Sequence, residues 1–313
     1  TVLNTGIAAG DYYLDLPGNH DTYGDGSLSS FKQWSIQGPL NQSSQTGWRL
    51  ERPWGSLCFF ALATTTNNGK GWPADDNELV QSELEEFEDF VLGNPECLQW
   101  VVFGHHDYAS TAGHAGFQSV AAEAGIVRYA HGHNHSFNTS IGGDGILRLR
   151  IDSLGHATKQ NVAIHAFDDE AYSFEAFDSA DPWPMAIVTS PVRGRTDGGE
   201  LPASPGVPTS CESAPIRVLA FDPEGIDGIR CRWDGGDDWI VLEQREDNPH
   251  QWRGSFSPTG MSPGWHTLEL KVNGNQVRTM SQDVRFDEIA CELGEEDVDT
   301  GPPFVQPEPD PET

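Results

Sequence analysis

Basic residues are scarce in this chain of 313 residues. It has 18 lysines and arginines against 48 aspartates and glutamates, which gives a formal net charge of −30 at pH 7. Lysine occurs at only four positions, Lys32, Lys70, Lys159 and Lys271. A surface this acidic repels phosphate backbones, so we do not expect a nucleic-acid partner. The composition is typical of a secreted or salt-exposed protein, in which a local phosphate site would need metal ions as its source of positive charge.

Long apolar runs are also missing. No stretch is long and apolar enough to cross a bilayer, so the sequence predicts no transmembrane segment. The chain starts at Thr1, without an initiator methionine or a signal peptide. We therefore expect a fragment or processed form whose beginning lies upstream, from a protein that is extracellular, periplasmic or at the cell surface.

Cysteines are few, and none of them has the spacing of a zinc site. The five cysteines form no C-x-x-C pair. Cys58 lies in an apolar run, where we expect it to pack as a small hydrophobic side chain. A disulfide is expected in the second half of the chain, with Cys231–Cys291 as the preferred pair. An odd number of cysteines leaves at least one free thiol.

Residues 1–180 have the pattern of an α/β domain. Short apolar or β-branched runs predict strands, and apolar residues at helical spacing between acidic ones predict helices. The predicted strands cover 12–16, 57–64, 98–103 and 126–129, and the predicted helices cover 77–92 and 117–124. Alternating segments at 146–151, 162–167 and 172–177 then predict antiparallel strands. Alternation of strands and helices, closed by antiparallel strands, is typical of a layered α/β fold.

The second half changes to an all-β pattern. Within a predicted domain at 184–290, short alternating strands are separated by turns such as Asp234-Gly235 and Asn273-Gly274. This is typical of a small immunoglobulin-like or fibronectin-like β-sandwich. Residues 291–313 are acidic and rich in proline, which predicts a disordered tail.

Three short motifs begin with glycine and then offer histidine or asparagine. They are Gly18-Asn19-His20-Asp21, Gly104-His105-His106 and Gly132-His133-Asn134-His135. Each follows an apolar or β-branched run, so strands of one sheet would deliver these side chains to one edge. Histidine nitrogen and asparagine oxygen are neutral ligands of first-row metals, so the three motifs together predict a metal centre.

Each motif also has a plainer interpretation. The first could be a polar turn, the second could contain a core or capping histidine, and the third could be a histidine-rich loop. In an extended segment, residues two apart point to the same side, so His133 and His135 would face one site. His131 lies two residues before His133 and would face the same side. Spacing therefore does not decide which two of these three histidines bind metal. His106, Tyr108 and His114 could line the mouth of a substrate site or be ordinary loop residues.

The order of these motifs resembles that of the calcineurin-like metallophosphoesterases. The resemblance covers residues 1–180 and is greatest for the transmembrane-protein-62-like branch, in which an immunoglobulin-like domain follows the phosphoesterase domain. The segment Trp183-Pro184-Met185-Ala186-Ile187-Val188 is similar to the joint between the two domains in that branch. The resemblance implies a layered β-sandwich flanked by helices, here truncated at its N-terminus.

The resemblance also implies a dinuclear metal site. Two divalent ions (Zn, Mn or Fe) would share a bridging hydroxide for in-line phosphoryl transfer. Asn19, His105 and His133 would bind one ion, and His135 would bind the other.

Two further residues receive catalytic roles from the resemblance. His20 would stabilise the transition state and help the leaving oxygen depart, and Asp21 would orient His20. The substrate would be a phosphorylated small molecule or a phosphodiester, so the implied protein is a hydrolase of phosphomonoester or phosphodiester bonds. The alternative is a non-catalytic surface or adhesion protein with a degenerate phosphoesterase scaffold and a binding β-sandwich.

The chain departs from the family pattern before its first motif. The family begins with Asp-x-His, followed by Gly-Asp with a bridging aspartate. Gly10-Asp11 lies too close to Gly18 to leave room for the intervening helix and strand, since a βαβ unit takes about 30 residues. We therefore expect this chain alone to be inactive and to bind fewer than two metal ions.

Overall fold

The computed structural model describes residues 15–22, 26–36, 38–41, 43–52, 54–65, 78–155, 160–168 and 171–291. Contacts divide these residues into two compact units, 15–155 and 160–291. The predicted strand at 12–16, apart from Asp15 and Leu16, and the predicted tail beyond Cys291 lie outside the described residues.

The first unit is built on one six-stranded mixed sheet. Its strands are Thr46–Arg52 (β1), Gly55–Leu62 (β2), Cys97–Gly104 (β3), Arg128–His131 (β4), Asn138–Ile141 (β5) and Leu147–Arg150 (β6). Its helices are Ser29–Trp34 (α1), Gly38–Asn41 (α2), Gln81–Leu92 (α3) and His114–Glu123 (α4), with 3₁₀ turns at Asn19–Thr22 and Tyr108–Ser110. The strand order is β1-β2-β3-β4-β6-β5, in which β2, β3, β4 and β6 run parallel.

The core of this unit lies between the sheet and helices α3 and α4. Alternate residues of β2 share one face of the strand, and Phe60 and Leu62 on that face are buried against the helices. Phe87 of α3 stacks near Phe60 on one side and Phe117 of α4 on the other. Aromatic packing of this kind fixes both helices on the sheet.

The predicted layered α/β metallophosphoesterase fold is wrong. Strands make up 44% of the described residues and helices 15%, so the protein is mostly β. The first unit contains a single sheet among its described residues, not two sheets between layers of helices. Segments 161–168 and 171–178, which the sequence prediction used to close that layered domain, pair only with each other and lie in the second unit.

The second unit consists of strands and turns. Its strands are Asn161–Asp168 (β7), Ala171–Asp178 (β8), Met185–Ser190 (β9), Arg195–Thr196 (β10), Gly199–Glu200 (β11), Val207–Pro208 (β12), Ala214–Phe221 (β13), Gly228–Trp233 (β14), Ile240–Gln244 (β15), Gln251–Phe256 (β16), Gly264–Asn273 (β17) and Val277–Asp287 (β18). Two hairpins, β7–β8 and β10–β11, accompany an eight-stranded sheet of order β12-β18-β17-β14-β15-β16-β13-β9.

The eight strands form one continuous curled sheet. Strand β15 pairs with β14 through Ile240 to Leu242 and with β16 through Glu243 and Gln244, so it links the two halves of the strand order. Val188 of β9 and Val207 of β12 come from opposite ends of the strand order, yet they share one buried core. The predicted sandwich of two separate sheets is therefore replaced by a single sheet that curls around its core.

Two disulfides are present, and neither is the preferred pair. Cys58 pairs with Cys97 on the neighbouring strand, so it is not a free hydrophobic side chain. Cys211 pairs with Cys291, which leaves Cys231 as the buried free thiol. The expectation of a free cysteine is confirmed. The preferred pair Cys231–Cys291 is wrong, because Cys231 of β14 is fully buried in the hydrophobic core of the second unit.

Candidate metal centre

Parallel strands bring the later two motifs to one edge of the first sheet. Strands β2, β3 and β4 are parallel neighbours, so their carboxyl ends meet at the same edge. Thr64 follows β2, His105 follows β3 and His133 follows β4. The buried strands therefore fix the positions from which these side chains converge.

The first motif joins the same cluster through Asn19. This residue opens the 3₁₀ turn Asn19–Thr22 and is buried. Its Oδ1 lies 3.0 Å from Nε2 of His105. Asp21 Oδ2 accepts a hydrogen bond of 2.8 Å from the Gly18 backbone N–H, which holds the turn closed. The turn thus places an amide oxygen directly against the imidazole of the second motif.

His133 completes the contact with His105. Its Nδ1 lies 3.2 Å from Nε2 of His105, and the Gly132 N–H donates to the His105 carbonyl oxygen at 3.1 Å. The sequence argument assumed an extended segment here, but His133 and His135 have φ values of 65° and 48°. Left-handed backbone costs free energy at a residue with a side chain, and such positions are concentrated at functional sites.

His106 belongs to the cluster, although the sequence prediction placed it only at a substrate mouth. It is 1% exposed, and its ring centroid lies 4.7 Å from that of His105 and 4.3 Å from that of His133. Its backbone N–H donates to Thr64 Oγ1 at 3.0 Å, and its carbonyl accepts from Tyr129 Oη at 2.7 Å. The doubled histidine after Gly104 was the available signal.

Burial and mutual repulsion keep these imidazoles neutral. Burial, followed by the charges of neighbouring His133 and His20, lowers the pKa of His105 to about 4. Burial, followed by the charges of His105 and His133, lowers the pKa of His106 to about 3. Neutral imidazole is the form that binds metal, so at neutral pH the ring nitrogens are available as ligands.

The remaining predicted residues lie at or near the cluster. His20 is exposed beside Asn19, and His135 is exposed at the end of the third motif. Asp21 is exposed, and its carboxylate caps the backbone at Gly18. The predicted catalytic roles of His20 and Asp21, and the assignment of His135 to a second metal, stay predictions.

Two residues expected at a substrate mouth have structural positions instead. Tyr108 is fully buried, and its hydroxyl donates to Asp144 Oδ2 at 2.7 Å. His114 begins α4, and its Nδ1 lies 2.9 Å from the Thr111 carbonyl oxygen. The Tyr108 ring packs against the ring of Tyr129, whose hydroxyl donates to the His106 carbonyl oxygen.

The donor set fits one divalent metal ion. One ring nitrogen each of His105, His106 and His133 lies within 4.8 Å of the others. Asn19 Oδ1 and His133 Nδ1 lie 3.0 and 3.2 Å from His105 Nε2, close to the spacing of about 3.3 Å between ligands of a tetrahedral zinc site. Within the described part of the chain, this group of potential ligands contains no carboxylate.

Comparison with known proteins gives one weak relative. The chain is 25% identical over 289 residues to transmembrane protein 62 of Mus musculus, and the match covers 85% of the chain and 41% of the relative. The chain therefore spans about two fifths of that protein. No family model matches the sequence. Among the described residues, no helix combines the length and the apolar character needed to cross a membrane.

Solved structures give only distant likenesses. An endo-β-1,4-mannanase from Thermotoga petrophila is 9% identical, with a TM-score of 0.26 over 66% of this chain and 42% of the enzyme. GAP50, the anchor in the inner membrane complex of Plasmodium, is also 9% identical, with a TM-score of 0.27 over 37% of this chain and 39% of that protein. Both TM-scores are too low to carry an argument about fold or function.

Proposed function

We propose that this chain carries part of the metal centre of a metal-dependent phosphoesterase. The observation that supports the proposal is the convergence of the three motifs, which brings Asn19, His105 and His133 into direct contact. The motif order, which resembles that of the calcineurin-like metallophosphoesterases, supports phosphoester hydrolysis as the reaction. The proposal concerns the whole protein's activity, since this chain spans about two fifths of the length of its relative.

Neutral ligands suit this chemistry. Asn19, His105 and His133 hold a divalent ion (Zn, Mn or Fe) without cancelling its charge. When bound, the ion attracts phosphate oxygens and lowers the pKa of a water ligand. Such a local positive charge is needed because the chain as a whole carries a net charge of −30 and repels phosphate.

His20 would act on the substrate. It is exposed, and it follows the buried ligand Asn19 in the same 3₁₀ turn, so its ring lies at the rim of the cluster. We assign it the donation of a hydrogen bond or proton to the leaving oxygen, a role that an imidazole fills near neutral pH. Asp21 keeps the turn in shape through its bond to the Gly18 N–H.

A location outside the cytoplasm accompanies this proposal. The pairs Cys58–Cys97 and Cys211–Cys291 are disulfide-bonded. Structural disulfides form and persist in oxidising compartments, which supports an extracellular, periplasmic or cell-surface protein.

Metal content of the purified chain tests the proposal. We expect about one divalent ion per chain by elemental analysis, because the described residues bring together one group of ligands. Asn19→Ala and His133→Ala each remove a ligand, so both should lose the ion while circular dichroism stays unchanged. His250→Ala is the matched control, since His250 is an exposed histidine of the second unit. Two tightly held ions, or an ion retained by both variants, would contradict this assignment.

Hydrolysis tests the reaction. The full-length protein should hydrolyse an aryl phosphate only with a divalent ion present, and the Asn19 and His133 variants should be inactive. A full-length protein that folds but neither binds metal nor hydrolyses the ester would favour the alternative, a non-catalytic surface protein.

A further inference from the structure

We propose that His106 is a fourth ligand of the metal ion, through its Nε2 atom. This rests on the proposed function and extends its ligand set, because the motif resemblance assigns only the first histidine of Gly104-His105-His106 to the metal. The inference depends on three observations: the tautomer of His106, the absence of a partner for Nε2, and the way the backbone holds this residue.

The tautomer follows from the contact with Thr64. His106 Nδ1 lies 3.2 Å from the Thr64 carbonyl oxygen, which can only accept a hydrogen bond. Thr64 Oγ1 also lies 3.3 Å from Nδ1, but it already accepts from the His106 backbone N–H. We assign the hydrogen of the neutral imidazole to Nδ1, which satisfies the carbonyl and leaves the lone pair on Nε2. An imidazole whose other N–H donates to a backbone carbonyl is the usual arrangement of a metal-binding histidine.

The lone pair of Nε2 is buried and has no partner among the described residues. His106 is 1% exposed, and no described residue forms a hydrogen bond with Nε2. A buried polar atom in this state costs about 1–3 kcal/mol, so it calls for an explanation. A ring nitrogen of His106 lies within 4.8 Å of those of His105 and His133, so an ion bound by that pair supplies the missing partner.

The backbone of His106 is held from both sides. Its N–H donates to Thr64 Oγ1 at 3.0 Å, and its carbonyl accepts from Tyr129 Oη at 2.7 Å. Tyr129 reaches that carbonyl only because residue 104 is glycine, since a Cβ there would overlap the hydroxyl. A histidine fixed at its N–H, its carbonyl and its Nδ1 presents Nε2 in one direction, as a preorganised ligand does.

Metal affinity of single variants tests the inference. Zn²⁺ binding would be measured by competition with a chromophoric chelator for the wild type, His106→Phe, His133→Phe and, as matched control, His131→Phe. His131 is also buried, and its Nδ1 has no hydrogen-bond partner in the part of the chain that the structure describes, but it lies outside the ligand group. Loss of an outer hydrogen-bond partner of a ligand costs about 10–100-fold in affinity, so loss of His106 itself should cost at least about tenfold. The His131 variant should bind as the wild type does.

The outcomes separate this inference from the proposed function. If His133→Phe loses the ion and His106→Phe keeps wild-type affinity, only the role of His106 is overturned. If neither variant differs from the wild type, or the wild type binds no Zn²⁺, the proposed metal centre falls as well. If His106→Phe does not fold, X-ray absorption of the Zn²⁺-loaded wild type decides, because it should show three imidazole ligands. Two imidazoles would overturn the inference.

Discussion

Glycine begins all three motifs, and close neighbours favour it in two of them. A Cβ on Gly18 would lie 3.1 Å from the His105 ring, so a side chain there would crowd that ring. A Cβ on Gly104 would overlap Tyr129 Oη. Gly132 contributes its N–H, which donates to the His105 carbonyl oxygen. The sequence suggested only that glycine lets the backbone turn; the particular neighbours come from tertiary contacts that no local pattern contains.

Replacement of Gly104 tests this packing. We expect Gly104→Ala to lower the free energy of unfolding by about 1–3 kcal/mol, because the new methyl group must displace the buried Tyr129 ring. Denaturant unfolding would measure it. The loss should be smaller in a Tyr129→Phe background, where the overlapping hydroxyl is absent. Gly143→Ala is the control, since a Cβ there has no neighbour within 4 Å. Equal losses at positions 104 and 143 would show that the predicted overlap does not occur.

A histidine–aspartate pair in the second unit gives a pH prediction. Burial acts to lower the pKa of His266, but its hydrogen bonds to Asp234 and to the Ser262 carbonyl outweigh burial, and the pKa is raised. A raised folded-state pKa stabilises the fold below the unfolded value of about 6.5, and that contribution is lost as pH rises through the folded value.

A double-mutant cycle measures this pair. The cycle would combine Asp234→Asn with His266→Gln, and we expect a coupling of about 0.5–1 kcal/mol at pH 5.5, kept small because the carboxylate is half exposed. It should shrink towards zero at pH 9. Asparagine suits residue 234, whose φ is 50°, because it tolerates left-handed backbone. A coupling that grows with pH would contradict the assigned sign.

The position of His106 shows which part of the site could not be predicted from the sequence. Parity arguments hold only while the chain is extended, but β3 ends at Gly104, so His105 and His106 do not have to face opposite sides. The left-handed backbone at His133 breaks the same assumption in the third motif. Sequence could identify the three motifs and the edge of the sheet they share. It could not identify Thr64, whose carbonyl contacts the His106 ring from the segment after β2.

Among the secondary-structure elements, the buried strand β3 and helix α3 were predicted close to their observed positions. Strand β3 was expected at 98–103 and spans Cys97–Gly104, and helix α3 was expected at 77–92 and spans Gln81–Leu92. Both are strongly apolar or strongly periodic. Strand β1 was missed. Its alternation is weak, because it is a sheet-edge strand with no fully buried residue.

One buried glutamine joins three elements of the first unit. Gln45, which precedes β1, is 1% exposed. Its Nε2 donates to the Glu83 carbonyl in α3 at 3.0 Å, and its Oε1 accepts from the Ala63 N–H after β2 at 3.1 Å. A side chain that satisfies two backbone groups from different elements fixes their relative positions.

Removal of the Gln45 side-chain amide should destabilise the first unit. We expect Gln45→Leu to lower the free energy of unfolding by about 1–3 kcal/mol, since it leaves the Ala63 N–H buried without a partner. Gln81→Leu is the control, because Gln81 is exposed and bonds only to Glu85 one turn away. Hydrogen exchange at the Ala63 amide would locate the effect. Unchanged protection there would show that Gln45 is not its partner.

For the molecule as a whole, the fold class was the property that the sequence predicted least well. The alternating segments at 162–167 and 172–177 correctly predicted strands but did not say which sheet they join. They were assigned to the first domain, yet β7 and β8 pair only with each other and lie in the second unit. The same holds for β15, which pairs with β14 through Ile240 to Leu242 and with β16 through Glu243 and Gln244, and so links two groups of strands. Periodicity encodes which face is buried, whereas strand order is set by contacts distant in sequence.

Disulfide pairing depends on such distant contacts too. Cys211 and Cys291 lie 80 residues apart and close a loop that contains β13 to β18. A loop of this length restricts the unfolded chain strongly, so Cys211→Ala with Cys291→Ala should lower the stability of the second unit by about 2–4 kcal/mol. Unfolding in denaturant, followed by tryptophan fluorescence, measures this loss. A double variant as stable as the wild type would show that the bond does not constrain the unfolded chain.

Thiol counting decides the pairing independently of stability. Burial raises the pKa of the Cys231 thiol to about 12, so this residue should not react in the folded protein. Denaturation without reductant should expose one thiol per chain, and denaturation with reductant should expose five. Proteolysis under non-reducing conditions should then link the peptides that contain Cys211 and Cys291. A linked pair of Cys231 and Cys291 would contradict the structure, because it would require Cys231 to leave the buried face of β14.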